Sequence, residues 1–199
     1  MGKVNLYNLS DLREAAKEIR AREVRGKSGL ALTGEVFLDH MRDGKYLCFE
    51  EYQGKNIIPT QGLNEILDVA VGAVAKEAAW YVYIFKTNYT PIATNTAANS
   101  LGAAGLHGEC QDIDYDVPLT NRPAYTIIAA AAGVITNAAS KAAFTIAATI
   151  TVYGAGVCSS QAKTAVTGFL LAAKKFDTSR AVIDNDVLYV TYQISATSS

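Results

Sequence analysis

From Trp80 onward the chain is written in short β-branched and aromatic runs separated by clusters of Gly, Asn, Pro and Ser, and this rhythm limits its folds more than any other feature. The runs are Trp80 to Lys86, Asp112 to Val117, Ala124 to Ala131, Phe144 to Tyr153, Phe169 to Phe176 and Val187 to Ser195. Each has the length of a strand, and breaks of this composition are turns. Six or more such strands predict a mainly β body, an antiparallel β-sandwich or jelly-roll-like arrangement over about residues 80–196. The last run is the clearest: Leu188, Val190, Tyr192 and Ile194 share one face, expected to be core, and Tyr189, Thr191, Gln193 and Ser195 the other. The alanines at 129–132 fit a strand poorly and leave a helix there as the alternative. The Ala/Asn/Gly-rich stretch Asn95 to Gly108 is too weakly apolar to hold itself and is expected to be mobile or ordered by a neighbour.

Upstream the text changes. Residues 1–55 hold ten basic and nine acidic side chains, whereas the 144 residues after them hold eight and ten. The chain therefore divides into an N-terminal arm, residues 1–29, and a β-rich body, residues 30–199. In the arm, Ser10 is placed to cap a helix opened by Asp11 and Glu14 and closed by Arg20, Arg22 and Arg25, the order that the helix dipole favours. Leu9, Leu12, Ala16 and Ile19 recur at 3, 4, 3 spacing, a narrow seam suited to another surface. In the body, residues 33–53 read as a hairpin turning at Asp43-Gly44. Thr60 then caps a helix expected to run to Ala79, with Leu63, Ile66, Leu67, Ala70, Val71 and Val74 as one buried face.

Several function classes lose support on composition. Eighteen basic against nineteen acidic residues leave a net charge of −1, which offers neither nucleic acid nor anionic lipid a field. No apolar run approaches the roughly 20 residues of a membrane-spanning helix. The N-terminus reaches charge before any apolar h-region, so synthesis in the cytoplasm is expected. Charge this near zero gives little colloidal repulsion and favours association, a dimer or trimer being ordinary.

Chemistry-bearing patterns are incomplete. Gly26-Lys27-Ser28 has the end of a phosphate-binding loop, but Ala21 stands where its first Gly belongs. Asp112, Asp114 and Asp116 start like a calcium loop, yet Val117 replaces the turn Gly and Pro123 the bidentate Glu. His107, Glu109 and Cys110 are metal-competent, with only His40 left among the histidines to complete a site. Cys48, Cys110 and Cys158 form no CxxC pair and read as reduced thiols. Neither histidine sits in a nucleophile signature, and Glu50-Glu51 and Asp184/Asp186 do not pair as catalytic carboxylates. No catalytic residue, metal or cofactor is assigned. The aromatic stripe Tyr81, Tyr83 and Phe85 is either core or a surface for a partner or sugar.

Asn56-Ile57-Ile58-Pro59-Thr60-Gln61-Gly62-Leu63-Asn64-Glu65-Ile66-Leu67-Asp68 followed by Trp80-Tyr81-Val82-Tyr83-Ile84-Phe85 resembles a group of small virion proteins of tailed bacteriophages, which pair a TxxGLNxLLD helix with a WYVxLF strand. The likeness continues through Asn88 to Ala93, Asn121 to Tyr125 and Asp186 to Tyr192, and covers about residues 55–195. It implies a non-enzymatic virion structural protein made in the host bacterium. With the arm and the compact body, the expected role is a capsid decoration or cement protein contacting the major capsid protein or other virion proteins. Leu9, Leu12, Ala16, Ile19, Tyr81 and Tyr83 are its candidate contact residues. A tail, connector or fibre-associated role, structural or receptor-binding, is the alternative.

Overall fold

The computed structural model describes residues 29–198. The expected arm helix and its seam, Leu9, Leu12, Ala16 and Ile19, and Gly26-Lys27-Ser28 lie outside the described residues. Contacts divide the chain into Thr33–Ser195 and a second unit of Met1–Leu32 with Ala196–Ser199.

The protein is mainly β, with antiparallel pairing. Strands β1 (Leu30–Arg42) and β2 (Lys45–Lys55) form the expected hairpin. Asp43 and Gly44 both take positive φ, 49° and 72°, the backbone that a two-residue turn between twisted strands requires. Helix α1 (Thr60–Val71) follows, then β3 (Tyr81–Phe85), the single-turn helix α2 (Ala97–Ser100), β4 (Tyr115–Val117), β5 (Val134–Thr136), β6 (Ala142–Ile146), β7 (Ile150–Cys158), β8 (Leu170–Val182) and β9 (Val187–Ser198). One sheet has the order β2-β1-β9-β6-β4, with β5 also paired to β9; the other is β3-β7-β8.

A single apolar cluster draws on both sheets: Val36 and Leu38 of β1, Phe144 and Ile146 of β6, and Leu188, Val190 and Tyr192 of β9 meet Val82 and Ile84 of β3, Val152 and Val157 of β7, and Phe176 of β8. The smaller sheet is covered on its other face as well. There Tyr83 and Phe85 join Ala97, Leu101, Cys158 and Leu170 in a second buried cluster. Tyr83 lies opposite Gly156 and Phe85 opposite Gly154 in the β3–β7 register. The glycines leave the floor on which these rings lie, since a Cβ at either would overlap the facing ring.

Five expectations need correction. The run Phe144 to Tyr153 is two strands: the chain leaves the larger sheet after Ile146 and enters the smaller one at Ile150. Residues 124–131 form no strand, and the alanine stretch no helix; Ala132 and Gly133, at φ 51° and 74°, make a tight turn closed by hydrogen bonds between Ala131 and Val134. The stretch Asn95 to Gly108 is held by this chain itself. Thr96 and Asn99 cap α2 reciprocally, and Ala97, Leu101 and His107 are buried. Helix α1 stops at Val71, short of Ala79, with Pro59 at its N-cap and no side-chain cap from Thr60. Nor is α1 the buried helix expected. Its enclosed residues are Gly62 and Glu65, and Leu63, Leu67 and Val71 are exposed.

Candidate functional site

Among the described residues, two knots of charged side chains centre on buried carboxylates, Glu109 and Asp186. In the first, Arg122 gives Nε and Nη2 to the two carboxylate oxygens of Glu109, at 2.6 and 2.8 Å, with both side chains fully enclosed. Its remaining donors reach the carbonyls of Ser160, Lys163 and Ala165, and Glu109 also accepts from the Gly102 N–H. Lys163 lies beside this pair, donating to the Tyr115 carbonyl at 2.8 Å and standing 3.4 Å over the Tyr115 ring, with Asp112 at 3.2 Å. Burial pushes Glu109 up, partly offset by Arg122, and pulls Lys163 down, partly offset by Asp112. Every charge here ends on a structural partner, so the knot ties the loops at 102, 122 and 160–165 to one point.

In the second, Asp186 accepts from His40 (2.8 Å), from Arg42 through both Nε (2.8 Å) and Nη2 (2.7 Å), and from the Ile183 N–H. Burial alone would raise the Asp186 carboxyl; the bonds from Arg42, Ile183 and His40 outweigh it and hold it well below the usual carboxylate range. Cys48 lies across from His40 in the β1–β2 register, so a thiol, an imidazole and a carboxylate are neighbours. The thiol contacts the Leu38 carbonyl, and burial raises its pKa. That is the reverse of what activates a nucleophilic cysteine.

The metal-competent stretch is likewise dispersed. His107 Nδ1 meets the Tyr83 hydroxyl at 2.7 Å, and its ring stacks on Phe85. Burial lowers His107 to about 4. Glu109 belongs to Arg122, Asp114 to Lys86, and Cys110 is enclosed. Among the described residues no group of three His, Cys, Asp or Glu side chains is arranged to hold a metal ion.

Of the expected contact residues, Tyr83 is wholly buried, its hydroxyl engaged by His107, and presents nothing to a partner; Tyr81 is half-buried. The large exposed apolar groups lie elsewhere. On the hairpin, Tyr46, Leu47, Phe49 and Tyr52 are between 46 and 57 % exposed. Tyr46 and Phe49 pack edge to face with centroids 5.0 Å apart, and Phe37 and Tyr52 lie 5.5 Å apart. Lys141 sits 4.9 Å from the Phe49 ring centre while bonding Asp39 and Glu50. On α1, Leu63, Leu67 and Val71, with Val74 just beyond the helix, form a second exposed stripe, 39 to 84 % exposed. The sequence does not mark the hairpin surface as exposed, because Tyr46 to Phe49 is a continuous apolar run, which in a strand resembles burial on both faces.

No protein-family model matches this chain, and neither a curated protein nor a solved structure matches it.

Proposed function

We propose that this protein is a non-enzymatic structural component of a tailed-phage particle, a decoration or cement protein of the capsid, with its two sheets forming a β-sandwich of jelly-roll type. The observation that carries the reading is the aromatic hairpin: Tyr46, Leu47, Phe49 and Tyr52 are exposed together on a strand at the edge of the larger sheet. Exposed clusters of this kind mark protein contacts, and Tyr and Phe are enriched where binding energy concentrates. The resemblance through Asn56 to Asp68 and Trp80 to Phe85 supplies the class of partner, the major capsid protein or another virion protein. A protein that binds only the assembled shell stabilises it by mass action.

The same rings support a second reading. Exposed aromatic faces also stack on sugars, as a tail- or fibre-associated receptor-binding protein would use them.

Counting copies by mass spectrometry in emptied heads and in detached tails decides between the two. Hundreds of copies with the heads, lost on Phe49→Asp, support the cement role. A few tens with the tails overturn it in favour of host binding, and absence from both overturns both.

A further inference from the structure

We infer that the exposed stripe of α1 is the docking site for the N-terminal segment, residues 9–25, of a second copy of this chain. This deepens the assembly reading and rests on it for the choice of a neighbouring copy over the same chain.

Helix α1 uses its two sides differently. Gly62 lets the helix approach β8 closely: a Cβ there would overlap the Leu171 carbonyl and come within 2.9 Å of that of Leu170. Ile66 packs on the main cluster. The helix is thus anchored by Ile66 together with Gly62 and Glu65, which the apolar periodicity does not single out. Leu63, Leu67 and Val71, four residues apart, are left on the outside. Covering such a stripe removes apolar surface from water, which suits it to an amphipathic partner.

The N-terminal segment fits the stripe in length and spacing. Leu9, Leu12, Ala16 and Ile19 offer a seam of the same kind, three turns long. As a helix, Leu9 to Ile19 would extend about 15 Å, and Leu63 to Val71 spans about 12 Å at the same rise per residue. Narrow seams with a small residue in the middle allow close helix–helix approach. Gly26 and Gly29 separate the segment from β1 and permit a change of direction there.

Charge favours the same pairing over two facing copies of the stripe. Residues 1–28 carry seven basic and four acidic side chains, a net +3. On the outside of residues 60–79, Asp68 and Glu77 stand against Lys76, a net −1, since Glu65 is turned inward and buried. Two α1 stripes facing one another would set like charges together, whereas the basic segment brings Arg13, Arg20 and Arg22 to an acidic border.

Full-length variants test this without disturbing the core, since Leu67 and Val71 are exposed. Leu67→Asp and Leu12→Asp are each examined by light scattering across a concentration series, with circular dichroism to establish that the fold is retained. The wild-type chain should self-associate, and each variant should do so at least tenfold more weakly. An equal mixture of the two should regain a mixed complex, because it contains one intact segment and one intact stripe. Val71→Asp should repeat the Leu67→Asp result, and Asp68→Lys with Glu77→Lys should weaken association and be rescued by Arg20→Glu with Arg22→Glu. A monomeric wild-type chain, variants of unchanged mass, or a mixture that stays monomeric would each overturn the inference. Sedimentation of the same variants with phage heads is separate: binding to heads by a monomeric chain would refute the exchange of segments and leave the cement role standing.

Discussion

Arg122 and Glu109 meet through two parallel hydrogen bonds, 2.6 and 2.8 Å long, in a pocket that admits no solvent to either side chain. Removing one member leaves a buried charge alone, and such losses cost about 3–5 kcal/mol. Arg122→Ala should therefore lower stability by that amount in urea denaturation. Arg122→Lys should rescue little, since an ammonium cannot reproduce the fork that reaches Glu109 and three carbonyls. A near-native midpoint for Arg122→Ala would show that the knot contributes nothing.

Acid should weaken the fold in two stages. His107 is lowered by burial from 6.5 to about 4, so between those pH values the unfolded chain takes up a proton that the folded chain refuses. Stability from this group is complete above 6.5 and declines as pH falls toward 4, by at most on the order of 3 kcal/mol. Asp186 is also lowered, so its contribution is present above the ordinary carboxylate pKa and is lost below it. Urea midpoints at pH 7, 5 and 4 should fall stepwise, and His107→Phe, which keeps a ring beside Phe85, should flatten the step between 6.5 and 4. An unchanged slope in that variant would assign the step to another group.

Gln61 and Gly62 fix α1 on the body. Gln61 Oε1 accepts the N–H groups of Ala97 and Leu170, both at 2.9 Å, and joins three segments through one carbonyl. Gln61→Ala strips both donors and should cost about 1–3 kcal/mol. Gly62→Ala forces a methyl against β8 and should cost a similar amount through overpacking. Thermal melts of both variants check this; melts within a degree of wild type would mean that α1 is loosely attached.

Ala132 carries a positive φ of 51° on an exposed turn. A side chain in the left-handed region costs roughly 1–2 kcal/mol that glycine avoids and asparagine reduces. Ala132→Gly and Ala132→Asn should stabilise the protein by up to about 1 kcal/mol, measured as a raised urea midpoint. A loss in both would contradict the turn geometry.

Local rules explain what was legible beforehand. The hairpin could be read because Asp43-Gly44 is a turn dictated by two adjacent residues. The face Leu188, Val190, Tyr192, Ile194 could be read because strand alternation needs no partner to be visible, and these four side chains are buried. Tyr83 and Phe85 are ambiguous because that alternation is missing: in Tyr81 to Phe85 both faces are apolar, and only the packing of Ala97 and Leu101 on the outer one makes them core.

Composition and alternation by themselves determined that this chain folds as a mainly β protein with an antiparallel hairpin, since strand and turn preferences act over a few residues. Tertiary structure alone decided where Phe144 to Tyr153 breaks between two sheets, which loop encloses Tyr83, and that Arg122 would find Glu109. It also decided which side of α1 faces inward. The apolar period predicted Leu63, Leu67 and Val71, but close approach to β8 requires a residue without a side chain, and Gly62 lies on the other side of the helix. Backbone-to-backbone distance, a property of two distant segments together, overrode the periodicity of one.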